Sequence, residues 1–125
     1  MAARSVVLAV DDDEQSLKRV QRELTSRYGA DYHVVCGGSA GSALRVLEEM
    51  RRRGEAVALV LAAQWMNGIR GVDLLAKVGE LHPLAKRALL IDWGGWGHRP
   101  TAEAIFAGIA QRHIDYYIMA PTASR

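Results

Sequence analysis

Five short apolar runs decide what this chain can fold into: SVVLAV (Ser5 to Val10), YHVVC (Tyr32 to Cys36), VALVLA (Val57 to Ala62), RALLI (Arg87 to Ile91) and YYIM (Tyr116 to Met119). The first is β-branched, and all five are short and mostly apolar. None alternates apolar with polar, so each suits a strand covered on both faces. Between them the apolar residues recur at helical spacing: Leu17, Val20, Leu24 and Tyr28; then Ala40, Ala43, Leu44, Leu47 and Met50; then Val72, Leu75, Val78 and Leu81; then Ile105, Phe106 and Ile109. That spacing predicts four amphipathic helices. The order β-α-β-α-β-α-β-α-β implies a parallel sheet with right-handed crossovers and helices on both faces.

The punctuation agrees. Asp13 and Ser39 stand where N-caps belong, and Gly54 where a helix needs a left-handed stop. His82-Pro83 ends the third helix and Pro100 suits the first turn of the fourth. At 125 residues the chain reads as one domain spanning 1–125, with no repeat or linker. A net charge of +2 gives no reason to expect nucleic acid, and Arg51, Arg52 and Arg53 read as a solvated helix end. No apolar stretch is long enough to span a membrane. The single cysteine, Cys36, cannot form an internal disulfide, which places the chain in a reducing cytoplasm; it reads as an inert strand residue. His33, His82, His98 and His113 lack ligand spacing and read as scattered surface residues. CGGSAGSAL follows the second strand and lacks the spacing of a dinucleotide loop.

With VLAVDDD closing its first strand, the chain resembles the receiver domain of two-component response regulators over nearly its whole length. The acidic pair of that family is matched by Asp11 and Asp12. Its serine-capped second helix is matched by Ser39, Ala43 and Leu44. In WMNGIRG, Met66, Gly68 and Gly71 keep the loop after the third strand, and Tyr117 and Pro121 keep the end of the fifth. The resemblance implies a flavodoxin-like, doubly wound five-stranded sheet in the order 2-1-3-4-5. It also implies a final helix after the fifth strand, for which only Pro121 to Arg125 remain. The chain is therefore expected to be the N-terminal part of a longer protein. Apolar surface on the first helix and nearby strands is expected to stay open and to support a two-fold dimer, or contact with a following domain.

Receivers take a phosphoryl group on an aspartate ending the third strand, with Mg²⁺ held between it and the acidic pair. Carried over position by position, the acceptor is Ala63, the coupling hydroxyl is Ile91, the lysine is Ala120 and the loop proline is Asn67. No catalytic residue is expected. A buried lysine without its carboxylate would cost about several kcal/mol; losing both leaves the formal charge of the pocket unchanged. Asp11 and Asp12 read as structural residues at a strand end, with weak binding of Mg²⁺ or Ca²⁺ the other reading.

Trp93 and Trp96, in the loop DWGGWGHRP, have two readings: one indole folds over the vacated pocket beside Ala63, or both anchor a partner. Tyr117 is a further partner-binding candidate, and Trp65 lies beside the pocket. The expectation is a phosphorylation-independent pseudo-receiver, not an enzyme, that regulates through protein contact. RALLIDWGGWGHRPTAEAI with HIDYY is also similar to receiver-like modules ahead of FAD-dependent, thioredoxin-reductase-like modules in bacterial fusion proteins. That similarity implies an accessory regulatory domain, although nothing in this chain binds FAD or another cofactor.

Overall fold

The computed structural model describes residues 4–92 and 97–119. Strands β1 (Val6–Val10), β2 (His33–Gly37), β3 (Val57–Ala63), β4 (Lys86–Ile91) and β5 (Tyr116–Met119) alternate with helices α1 (Glu14–Tyr28), α2 (Ala40–Arg53), α3 (Gly71–Leu81) and α4 (Arg99–Ala110). All strand pairs are parallel and the sheet order is β2-β1-β3-β4-β5. This is the doubly wound, flavodoxin-like arrangement expected. Trp93, Trp96, Ala120 and Pro121 lie outside the described residues.

Successive strand side chains point to opposite faces, which is why continuous apolar runs are needed here. Leu8 and Val10 of β1, with Val60, Ala62 and Leu89, form a core with Leu47 of α2, Leu75 and Val78 of α3 and Ile105 of α4. Val7 and Ala9, with Leu61, Ala88 and Leu90, face the other way and meet Val20 and Leu24 of α1. The helix ends follow their sequence signals. The Asp13 side chain accepts from the Gln15 N–H and Ser39 from the Ser42 N–H, and Gly54 ends α2 at φ 69°.

The third helix starts differently. Arg70 precedes α3 but makes no side-chain cap. The buried Gln64 takes that role: its carbonyl accepts from the Gly71 N–H at 2.8 Å and its Oε1 from the Val72 N–H at 3.1 Å. This brings α3 so close to β3 that a Cβ on Gly71 would lie 2.2 Å from the Ala63 carbonyl oxygen. No other residue fits there.

On the face beside α1, Leu61 and Leu90 are buried with Val20 and Leu24, while Leu17, Leu59 and Ile118 are only partly buried and Tyr28 of α1 and Tyr116 of β5, which pairs with Ala88 of that face, stay exposed. Elsewhere, exposed large apolar residues lie at Phe106 and Ile109 of α4, Tyr117 of β5, Trp65 and Leu84. Two expectations are corrected. Phe106 and Ile109 are not core: α4 buries Ile105 together with Thr101, Ala104 and Gly108, and Gly108 lies close against Val72 of α3. His82 is not a surface histidine either; its buried Nε2 lies 2.8 Å from the Leu47 carbonyl, joining the end of α3 to α2. Among the described residues no helix is long and apolar enough to cross a membrane.

Two substitutions test these packing statements by urea unfolding. Gly71→Ala must displace the β3 carbonyl, and we expect a loss of about 2 kcal/mol or more. Arg112 sits at φ 61°, where an L side chain is strained and glycine is not. We expect Arg112→Gly to raise stability by about 0.5–1 kcal/mol, unfolded-state entropy taking back part of the gain.

Candidate functional site

The strand order reverses direction at β1, since β2 lies on one side of it and β3 on the other. A crevice opens beyond the carboxyl ends of strands at such a point, and ligands of open α/β sheets bind there. Register decides which residues reach it. Val10 pairs with Gly37 of β2 and Ala62 of β3, so the next residues, Asp11 and Ala63, emerge side by side. Ala63 pairs with Leu90, which puts Ile91 one step further along β4. The fold thus gathers Asp11, Ala63 and Ile91 on three adjacent strand ends.

Their chemistry is uneven. Ala63 offers a methyl group. Ile91 is buried in the core on the α3 side and pairs with Met119 of β5. Asp11 is the polar residue of the set, 7% exposed, with its backbone N–H donating to the Gly37 carbonyl at 3.2 Å. Burial pushes its carboxyl above the ordinary value of 3.8; the Asp13 N–H, which donates to Oδ1 at 3.0 Å, opposes this. The neighbouring carboxylates of Asp13, Asp12 and Asp92 push it further up.

Asp12 and Asp13 are each committed to holding backbone. Asp12 Oδ2 accepts from the Asn67 N–H at 2.7 Å, tying the β1–α1 loop to the β3–α3 loop. Asp13 accepts from the Gln15 N–H at 3.1 Å and from the Ser16 hydroxyl at 3.2 Å. Mg²⁺ wants several converging hard oxygens in octahedral geometry. Among the described residues no group of three or more His, Cys, Asp or Glu side chains could hold a metal ion. The acidic pair without a third ligand does not fit Mg²⁺, and no step is routed through it. Cys36, on the edge strand, has its thiol pushed up by burial, away from the reactive thiolate form.

Sequence reasoning passed over two features of this edge. Asp92 directly follows β4 and adds negative charge at Asp11; its position after a strand end was the available signal. The second is a contact between Trp65, Thr101 and His98. The Trp65 N–H donates to the Thr101 hydroxyl at 2.9 Å, and His98 Nδ1 lies 2.8 Å from the same oxygen. No local pattern announces a contact across 36 positions. Tyr117, in contrast, stands on β5 opposite Leu89, away from the crevice mouth at that strand's start.

No family model and no curated protein matches the sequence. Solved structures do. The signal receiver domain of an HD-domain-containing protein from Pseudomonas fluorescens Pf-5 is 27% identical, with a TM-score of 0.71 over 95% of this chain and 77% of that one. The response regulator TrrA from Thermotoga maritima, in complex with Mg²⁺ and BeF, is 19% identical, with a TM-score of 0.66 over 94% and 87%. An adenylate cyclase from Rhodopirellula baltica is 17% identical, with a TM-score of 0.73 over 97% and 79%. The chain therefore has the fold of response-regulator receiver domains. Nothing in these comparisons supports the reductase-associated reading.

The raised Asp11 pKa has a consequence for stability. Ionising Asp11 costs more in the folded than in the unfolded chain, so its penalty appears as pH rises above 3.8 through the folded value. Below 3.8 both states hold the proton and the penalty vanishes. Asp11→Asn keeps the acceptor for the Asp13 N–H. In EDTA at pH 7 we expect it to be more stable than wild type by urea unfolding, with the advantage shrinking to nothing near pH 3. An advantage that grew with acid would contradict the assignment.

Proposed function

We propose that the chain is a pseudo-receiver: a regulatory module that keeps the receiver fold, takes no phosphoryl group, and acts through contact with a protein. The observation that carries this reading is Ala63, a methyl group emerging beside Asp11 at the sheet edge. Phosphoryl transfer to protein needs a nucleophile, and a carboxylate supplies it in receivers. Ala63 has none to offer. Ile91, buried at the end of β4, lacks a hydroxyl to bind a phosphoryl oxygen. Ala120 is assigned to the lysine position by sequence. Asp12 holds the Asn67 backbone, which gives the acidic pair a structural reason to persist without phosphate or Mg²⁺.

The module has no catalytic residue of its own in this reading. Its partner is a protein: a separate chain, a following domain of the same chain, or a second copy. Exposed Phe106 and Ile109 on α4, with Tyr117 on the same sheet face of β5, support placing that contact on the α4–β5 side.

Acetyl phosphate with Mg²⁺, read by intact mass, tests the chemistry. We expect no phosphate adduct. Ala63→Asp alone should also transfer poorly, because the groups that stabilise the phosphoryl oxygens are still missing. An acid-stable, base-labile adduct on the wild-type chain would overturn the reading.

A further inference from the structure

Helix α4 begins without an ordinary cap. His98 precedes it and makes no side-chain bond to the helix backbone. The first turn instead carries Thr101, 4% exposed, whose hydroxyl meets two side chains. An indole N–H can only donate, so Thr101 Oγ1 accepts from Trp65 Nε1 at 2.9 Å. His98 Nδ1 lies 2.8 Å from the same oxygen, and the hydroxyl, with one proton and a second lone pair, can pair with either tautomer of the ring. The Trp65 and His98 rings also meet edge to face, 5.8 Å between centroids.

Trp65 belongs to a loop that is itself pinned. Its backbone bridges to Arg70, the Asn67 N–H donates to Asp12, and the Gly71 N–H donates to Gln64. We propose that Trp65, Thr101 and His98 form a latch that fixes the start of α4 to the β3–α3 loop, so that this chain's own side chains set the position of α4. The latch rests on the pseudo-receiver reading only in that no phosphoryl group competes with it. A partner seated on α4, whose outer face carries Phe106 and Ile109, would meet a helix already held in one place.

Hydrogen–deuterium exchange on the full chain tests this. Thr101→Val keeps the shape and removes the shared hydroxyl; Thr101→Ser keeps the hydroxyl. In Thr101→Val the Ala102 amide, which donates to the His98 carbonyl, and the Leu74 amide, which donates to the Arg70 carbonyl, should both exchange roughly tenfold faster. The amides of α2 should not change, and Thr101→Ser should restore wild-type rates. Trp65→Phe, which keeps an aromatic ring and loses the donor, should reproduce the effect at both amides. Unchanged rates in Thr101→Val would overturn the latch. So would acceleration confined to Ala102, the mark of a local cap, or an equal acceleration in α2, the mark of general destabilisation. A separate arm adds Mg²⁺ and beryllofluoride to wild type. A change in α4 exchange there would overturn the pseudo-receiver reading and leave the Thr101 result standing.

Discussion

The tight approach of the start of α3 to the end of β3 organises the surroundings of the sheet edge. A helix N-terminus leaves amide donors unsatisfied, and a buried one needs acceptors. Gln64 supplies two, its carbonyl to Gly71 and its Oε1 to Val72, from the strand residue immediately after Ala63. That arrangement is possible only because Gly71 has no Cβ to strike the Ala63 carbonyl. Residues 65–70 are thereby forced into a tight loop, closed by the Trp65–Arg70 bridge and a bidentate Arg70–Asp73 pair. The loop is held from below by α3, from the β1 side by Asp12, and from the α4 side by Thr101.

This rigidity changes how the acidic residues are to be understood. Asp11 has a raised pKa, chiefly because it is buried and further because the carboxylates of Asp13, Asp12 and Asp92 stand near it. Were the cluster there only for chemistry, little would hold it once Ala63 stood at the strand end. Asp12 and Asp13, however, each accept from a backbone amide, one in the β3–α3 loop and one at the start of α1. Such charge-assisted bonds are stronger than neutral ones, although water screens them at these exposed positions. The acidic stretch is retained in the architecture by hydrogen bonds that need no ligand.

The fold was legible because its determinants are local. Continuous apolar strands, the stripes of α2 and α3, Asp13, Ser39, Gly54 and Pro100 each act within a few residues, and the structure places them as expected. The strand ends were legible too, since Asp11, Ala63 and Ile91 follow from counting along three strands. What was not legible depends on partners distant in sequence. His82 is buried because α2 presents a carbonyl at Leu47 to it. Phe106 and Ile109 face outward because Gly108, with room for no Cβ against Val72 and Ile114, turns the other side of α4 inward. Apolar spacing alone does not reveal which stripe a helix buries when one stripe is large and the other small. The Trp65–Thr101–His98 contact belongs to the same class.

These two kinds of determinant bear differently on function. In a domain that switches, the element read by a partner needs two positions of similar free energy, and a ligand that distinguishes them. Here α4 is tied at its first turn through Thr101 and packed at Gly108 against α3, while no nucleophile stands at Ala63 to create a distinguishing ligand in place. Each tie favours one position. As the pseudo-receiver proposed above, such a module would present a fixed surface, with its regulation set by the availability of its partner.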